Sequence, residues 1–338
     1  MVAIASSIRP LLQVHFGSPA NATDDTLGKV VQVFVHPETW QISYLMVQRG
    51  LVMKKRLTFP IELVTEARVD STQFSLSVDD LLQKAQAPKH DLLLLKEHLP
   101  VESGSEKLGG LSALFFDRET YRLTHLVIHR HALAGGEVLL DVGQLAVLLA
   151  DRLEVKVPVK EFAMLPHYRP DSELAEAVRQ SIWDYARLRI DIEAVTVLVQ
   201  CNEVWLTGHV SSDTNRRLME DQTSLVRGVR GIHNELVADT DLAMEVAAAL
   251  SKHAQTRGQP IGVYPQLGEV HLRGLVPTEQ VKQVAEEVAL TLPGVESVHN
   301  EMAVSSKADH LPELAAVTGQ EDVVPGTEPD LAKVKPSV

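Results

Sequence analysis

Two kinds of hydrophobic pattern divide the chain. In the first half, apolar and β-branched runs such as Val30–Val35 and Ile42–Val47 are separated by the polar turn His36–Thr39. Runs of about six residues that are broken by proline and polar residues predict short β-strands. Many short strands in succession favour a small barrel or sandwich, because these architectures leave few sheet edges exposed.

The second half mixes helical and strand periods. Apolar residues recur every four positions from Leu174 to Ile182 behind Asp171, which predicts a helix with Asp171 as its N-cap. Strands are predicted at Ile190–Val199 and Glu203–His209, followed by another helix and a final strand. The order α-β-β-α-β predicts an α+β module in which two helices cover one face of a three-stranded sheet.

The first half is a tandem repeat with a shift of 81 residues and no gap. Gly28 falls on Gly109 under this shift, and Trp40 falls on Tyr121. Many such matches in one register predict one all-β fold that is written twice. We place the two copies at residues 8–86 and 89–166.

The second half carries another repeat, with a shift of 66 residues over most of its length. Gly208 falls on Gly274 and His233 falls on His299. The two glycines are expected at bulges or at points of close backbone approach in the sheet. The copies are placed at residues 171–238 and 239–304. Residues 305–338, which are polar and rich in proline, predict a disordered acidic tail.

Composition and charge exclude several classes of protein. The chain has 338 residues, a net charge of −13 and 45% apolar residues, so we expect folded domains and no nucleic-acid partner. The single cysteine, Cys201, excludes an intramolecular disulfide framework. We find no apolar run near the roughly 20 residues of a membrane span and no secretory signal, and therefore expect a cytoplasmic protein.

Specific segments resemble two known domain families. Leu27–Val30, the turn at Pro37–Thr39 and the strand Tyr44–Val47 resemble a PRC-barrel domain, and the second copy resembles it more loosely. The α-β-β-α-β units, with Val-X-Leu-X-Gly at Val204–Gly208 and Val270–Gly274, resemble BON domains. The predicted fold is thus multidomain: two small all-β barrels, two α+β modules and a tail.

These resemblances carry functional implications. PRC-barrel domains share no common catalytic residues, and their members occur in ribosome maturation factors and in the cytoplasmic part of photosynthetic reaction centres, where they dock on protein partners. BON domains are associated with attachment to phospholipid or membrane surfaces, often in the periplasm. The resemblance therefore implies docking rather than catalysis.

The motif search gives no catalytic, metal or cofactor site. The chain lacks a phosphate-binding GxxxxGK[ST] loop, an HExxH helix and a CxxC pair. We interpret Cys201 as a buried thiol. His125, His129 and His131 share one face of a predicted strand, but only the last two are close enough to share an ion, and we predict no metal. We expect neither a cofactor nor a small-molecule substrate.

Two features are candidates for surface binding. The densest positive cluster comprises Arg49, Lys54, Lys55 and Arg56, which the pattern places in and beside a loop between strands. Such a loop can contact an anionic lipid surface or an acidic partner. Trp205 is a candidate anchor for a protein partner, because its equivalent in the second module is a different residue, His271.

We therefore predict a non-enzymatic cytoplasmic scaffold or adaptor that docks on protein partners or associates with itself. Tandem modules raise the effective affinity of several weak contacts. The alternative is a peripheral membrane protein that binds anionic phospholipids through the basic cluster and the α+β modules. A further alternative is a sensor of a small ligand or ion.

Overall fold

The computed structural model describes residues 11–50, 54–89, 91–131, 136–149, 151–165 and 167–305. The chain divides into two compact units. The first comprises the residues up to 210 together with 214–236, and the second comprises 211–213 and the residues from 237 onward. Apart from Ser305, the predicted tail lies outside the described residues.

Short strands dominate the described residues up to 165, as the apolar runs predict. Two short helices accompany them, α1 (Val78–Lys84) and α2 (Val159–Met164). The strands are β1 (Leu11–His15), β2 (Pro19–Asn21), β3 (Thr26–Val35), β4 (Ile42–Arg49), β5 (Lys55–Pro60), β6 (Val64–Ala67), β7 (Thr72–Phe74), β8 (Leu93–Lys96), β9 (Pro100–Ser103), β10 (Glu106–Asp117), β11 (Leu123–Arg130), β12 (Glu137–Asp141), β13 (Leu145–Leu148) and β14 (Leu153–Val155).

These strands form two sheets with the same topology. The first has the order β5-β4-β3-β2-β7-β6, and the second has the order β12-β11-β10-β9-β14-β13, which is the same path seven strands later. Within the described residues no ladder joins the two end strands of either sheet, so neither sheet closes into a barrel. Short 3-10 helices at Ile61–Leu63 and Val142–Gln144 separate the end strands, and a helical turn uses its backbone groups internally. The mostly β region is confirmed, but its sheets are open.

Each copy of the repeat donates its first strand to the sheet of the other copy. β1 pairs antiparallel with β10, with Leu12 opposite Phe116. β8 pairs antiparallel with β3, with Leu93 opposite Val35. The two registers are equivalent under the shift of 81 residues. The repeats are therefore interlocked by a reciprocal exchange of strands.

A second reciprocal contact joins the β3–β4 and β10–β11 turns. The backbone N–H of Ile42 donates to the carbonyl of Tyr121 over 2.9 Å, and that of Leu123 donates to the carbonyl of Trp40 over 2.9 Å. Trp40 and Tyr121 share the left-handed conformation, with φ of 58° and 56°. Equivalent residues thus contact each other in pairs, as expected for two copies related by an approximate twofold axis.

One hydrophobic core serves both copies. It joins Leu45 and Phe59 of the first copy with Leu126 and Leu140 of the second, and it includes Leu12 and Leu95 on the exchanged strands or beside them. Burial of apolar area is the main force that stabilises a fold. The stability of each copy therefore depends on the other.

The first α+β module begins at residue 171. Asp171 is the first residue of its helix and Pro170 takes the N-cap position, so the predicted cap is one residue too late. The predicted strand from Ile190 starts as the 3-10 helix Asp191–Ala194, in which the buried Asp191 accepts a 2.7 Å hydrogen bond from Asn215. The elements are α3 (Asp171–Asp184), β15 (Val195–Gln200), β16 (Glu203–Val210), α4 (Asp213–Ser224) and β17 (Gly231–Ala238), with the sheet order β15-β16-β17.

The second α+β module repeats this order of elements. Thr278 caps α6 as its position predicts, because its hydroxyl accepts from the N–H of Val281 over 3.3 Å. Leu242 and Val246 pack with Leu272 in one core between the helices and the sheet. The elements are α5 (Asp239–Lys252), β18 (Ile261–Gln266), β19 (Glu269–Val276), α6 (Glu279–Leu290), β20 (Ser297–Asn300) and β21 (Ala303–Val304), with the sheet order β18-β19-β20 and β21 beside β19.

The glycines at equivalent sheet positions have the predicted packing role. Gly208 and Gly274 have φ of 113° and 144°. A Cβ atom at either position would overlap the backbone carbonyl of the neighbouring strand, at Ala194 or at Pro260. Only glycine tolerates both conditions, so the prediction of close backbone approach is confirmed. Within the described residues, no helix combines the length and the apolar character needed to cross a membrane.

The strand exchange predicts the behaviour of a single repeat. A fragment of residues 8–86 keeps β1 but lacks the β10 with which β1 pairs, and its β3 lacks β8. Two such fragments can satisfy both strands by exchanging β1, so we expect a homodimer in multi-angle light scattering that unfolds on dilution. The fragment 8–166 is the control and should not need a second copy to fold. A folded monomer of 8–86 at every concentration would contradict the exchange.

Candidate functional site

Trp205 lies at the centre of the first α+β sheet, on β16. Its ring stacks on that of His233 with 4.5 Å between the ring centres and 10° between the planes. The Nε2 atom of His233 lies 3.0 Å from a carboxylate oxygen of Glu203. Trp205 is only 8% exposed, so its ring is mainly a packing element of the sheet.

The second α+β sheet has an imidazole pair at the equivalent place. His271 on β19 stacks on His299 on β20, with 4.8 Å between the ring centres and 18° between the planes. His271 Nδ1 lies 3.0 Å from Glu301, whose other carboxylate oxygen accepts a 2.7 Å hydrogen bond from Arg273 Nε. The hydrogen bonds from Arg273 and His271 lower the pKa of the Glu301 carboxyl. Glu301 therefore stays ionised and holds His271 in place.

The potential metal ligands of this sheet are Glu269, His271 and His299. One ligand atom of each lies within 4.8 Å of the ligand atoms of the other two. The motif search missed this group, although the repeat contained a signal: Glu and His recur in both copies, while Trp205 is replaced by His271. What the repeat alone does not give is the parallel pairing of β19 with β20, which puts His271 beside His299.

The three histidines of β11 and its end have different surroundings. His125 packs edge-on against Phe115 and lies 3.7 Å from Asp141, and burial lowers its pKa. His129, in contrast, is exposed and lies opposite Glu137 in the β11–β12 ladder. His125 thus belongs to the packing of the second β-sheet.

The predicted basic cluster lies on the β4–β5 hairpin. Arg49, Lys54, Lys55 and Arg56 are all exposed, and none forms an ion pair with another described residue. Arg49 is opposite Lys55 in the ladder. Because successive side chains of a strand point to opposite faces, Arg56 projects from the other face. The hairpin therefore carries positive charge on both of its sides.

The segment predicted as a stiff linker is a packed junction. Tyr168 is buried against Phe115, with 6.1 Å between the ring centres, and its hydroxyl accepts a hydrogen bond from Gln13 Nε2 on β1. Cys201 lies in the same hydrophobic cluster, on the turn between β15 and β16. The apolar outer face of the second β-sheet covers these residues and so seats the first α+β module.

Burial in this junction shifts three ionisable groups. It raises the pKa of the Tyr168 hydroxyl and of the Cys201 thiol, which keeps both neutral. Burial also raises the pKa of Asp171 to about 6, although backbone N–H groups of Cys201 and Asn202 donate to its carboxylate. Cys201 is buried and protonated, as interpreted from the sequence, and such a thiol is a poor nucleophile.

The raised pKa of Asp171 predicts a pH dependence of stability. Because the folded state binds the proton more tightly than the unfolded state, the ionised carboxylate destabilises the fold above about pH 6, and this cost vanishes below the ordinary value of 3.8. The free energy of unfolding of the wild type, relative to Asp171→Asn, should fall by up to about 3 kcal/mol between about pH 4 and about pH 7.

The measurement is urea unfolding followed by tryptophan fluorescence. All three tryptophans, Trp40, Trp183 and Trp205, lie in the first compact unit, so the signal reports that unit alone. Asp184→Asn, at the exposed end of the same helix, is the control and should run parallel to the wild type. Parallel pH profiles for the wild type and Asp171→Asn would contradict the assignment.

Comparisons with known proteins identify the C-terminal modules. Two crystal chains are similar in part: CdsD, a structural protein of the type III secretion system of Chlamydia trachomatis, has 17% identity over 44% of this chain and 68% of its own, with a TM-score of 0.33. The C-terminal domain of CdsD has 18% identity over 43% and 72%, also with a TM-score of 0.33.

No curated protein matches the chain. The BON domain family model matches it twice, at residues 170–239 and 238–306. The matched segments coincide with the two α-β-β-α-β modules. Residues 170–306 are thus a tandem pair of BON domains.

Proposed function

We propose that the chain is a non-enzymatic cytoplasmic scaffold that binds a protein partner through the exposed sheet face of its second BON domain. Tyr264 on β18 is 55% exposed, and the guanidinium of Arg273 lies 5.6 Å from the centre of its ring. Tyrosine and arginine are among the residues that contribute most binding energy at protein interfaces. The exposed Tyr–Arg pair is the observation that carries the proposal.

The first BON domain supports this assignment by contrast. Its equivalent residues under the shift of 66 are Leu198 and Thr207, and Thr207 is buried. The aromatic and cationic groups therefore belong to the second copy alone. Two copies of one fold with different surfaces are what a scaffold needs to hold different contacts in fixed order.

The placement of the perturbed ionisable groups also favours a scaffold over an enzyme. Active sites aim such groups at a common point in a cleft. Here Tyr168, Asp171 and Cys201 lie in the packed junction, where their polar atoms bond to neighbouring chain segments. Their shifts have a structural cause.

We further propose that each β-sheet, with its donated strand, is a PRC-barrel-like unit. The segments that carry the resemblance, Leu27–Val30 and Tyr44–Val47, lie on the neighbouring strands β3 and β4. The matching strand orders of the two sheets support a duplicated domain. An interlocked pair of such units is a stiff base on which binding surfaces keep their spacing.

The scaffold proposal predicts a loss of partner binding on the exposed face. Tyr264→Ala combined with Arg273→Ala in the full chain should weaken capture of a specific partner from cell lysate at least tenfold, because each residue supplies more than about 1 kcal/mol at an interface centre. Light scattering of the purified chain shows whether the partner is a second copy. In that case the double variant should become monomeric.

Leu198→Ala, at the equivalent position of the first BON domain, is the matched control and should bind as the wild type does. Equal capture by the wild type and the double variant would remove this face from the proposal. A monomeric chain that captures no specific partner would overturn the scaffold function itself.

The basic hairpin favours a second candidate function, peripheral attachment to anionic phospholipid. Each Lys or Arg near an anionic surface contributes about 1 kcal/mol. Lys54→Glu, Lys55→Glu and Arg56→Glu together should therefore reduce co-sedimentation with phosphatidylserine vesicles at low salt by roughly 100-fold or more.

The control for this experiment reverses two exposed charges elsewhere in the same copy, Lys84→Glu and Lys89→Glu. It changes the net charge in the same direction but leaves the hairpin intact. High salt should release the wild type. If the wild type does not bind these vesicles at low salt, the membrane function is excluded.

A further inference from the structure

We propose that Glu269, His271 and His299 form a binding site for a divalent transition-metal ion, with zinc as the reference ion, on the sheet of the second BON domain. This inference goes beyond the scaffold function. It rests on the way the sheet assembles three ligands, on the support behind one of them, and on a comparison with the first BON domain.

The sheet itself brings the three ligands together. Glu269 and His271 are two residues apart on β19, so their side chains emerge from the same face. His299 is the direct partner of His271 in the parallel β19–β20 pair. Its Nε2 lies 3.6 Å from a carboxylate oxygen of Glu269. Two imidazoles and one carboxylate are a common donor set for zinc.

One ligand already has the outer support that metal-bound histidines use. His271 places Nδ1 3.0 Å from the Glu301 carboxylate, and Arg273 holds the other oxygen of that carboxylate at 2.7 Å. When Nδ1 donates its proton to Glu301, Nε2 carries the free lone pair that a metal needs. A carboxylate behind a ligating imidazole fixes its tautomer and its orientation.

The ligand atoms need only a small movement to bind an ion. They lie within 4.8 Å of one another, whereas ligands at 2.0–2.1 Å from a tetrahedral zinc ion are about 3.3 Å apart. The stacked His299 ring has to turn until its nitrogen faces the same point as His271 Nε2. The side chains of His299 and Glu269 are 52% and 56% exposed, so both have room to move.

The first BON domain provides an internal comparison. It keeps the carboxylate and the outer histidine as Glu203 and His233, 3.0 Å apart, but Trp205 replaces the central imidazole. An indole has no free lone pair for a metal. The same backbone therefore carries a complete set of three ligands in one copy and two in the other.

The donor set also predicts which ions bind. Imidazole favours zinc, copper and nickel, whereas magnesium and calcium prefer oxygen ligands only. Three protein ligands leave at least one position for water or for a group from a partner. The site lies on the sheet face that displays Tyr264 and Arg273, so a metal here would add a contact point to that face.

The test is titration of the full chain with Zn²⁺ by calorimetry, and with Co²⁺ by its visible absorption bands. Because the chain has 14 histidines, the measure is the loss of one binding equivalent rather than binding as such. His299→Asn should lose one equivalent and the Co²⁺ bands of that site. His233→Asn removes the equivalent histidine of the first BON domain and should lose neither.

Two more variants test the roles of single residues. His271→Trp copies the arrangement of the first domain and should also abolish the site, while Glu301→Gln should weaken it by about 10–100-fold, as is usual when the group behind a ligand is removed. Circular dichroism confirms that each variant is folded. If the wild type binds no Zn²⁺, or if His233→Asn and His299→Asn lose the same equivalent, the proposal is wrong.

Discussion

The reciprocal exchange of first strands is the constraint on which the N-terminal half depends. β1 completes the second sheet and β8 completes the first, so neither copy can bury its edge or fill its core without the other. The exchange also positions the first BON domain, because Gln13 reaches Tyr168 only from a strand that belongs to the second sheet. One topological feature thus links the order of the sheets, the shared core and the seat of the next domain.

Duplication preserved backbones and let surfaces diverge. Gly28 and Gly109 are equivalent, and a Cβ atom at either would overlap a carbonyl of the neighbouring strand; Gly208 and Gly274 repeat this relation in the BON domains. Such positions cannot change without displacing a strand. Side chains on the sheet faces have no such restriction. This is the physical reason why Trp205 and His271 can differ while the strands that carry them superpose in sequence.

The sequence predicts the elements better than their partners. Periodicity and the two shifts reveal both repeats and the α-β-β-α-β order, because burial on one face leaves its mark in the chain itself. The exchange leaves no such mark: Leu12 is apolar and buried whether it faces Phe116 or the equivalent Val35. The junction at Tyr168 escapes for a similar reason, since prolines stiffen a packed segment as well as a free linker. Both depend on contacts between distant residues.

The two BON domains differ in what their central strands can still offer. On β16, Trp205, Thr207 and His209 are buried, as are the core residues that alternate with them, so both faces of that strand are committed to packing. On β19 the alternation holds, with Leu272 in the core and Arg273 exposed. A polar group on an open face keeps its freedom to bind something else, whereas a buried one is needed for stability. New binding chemistry is therefore expected to arise on the second copy, where a substitution costs the fold least.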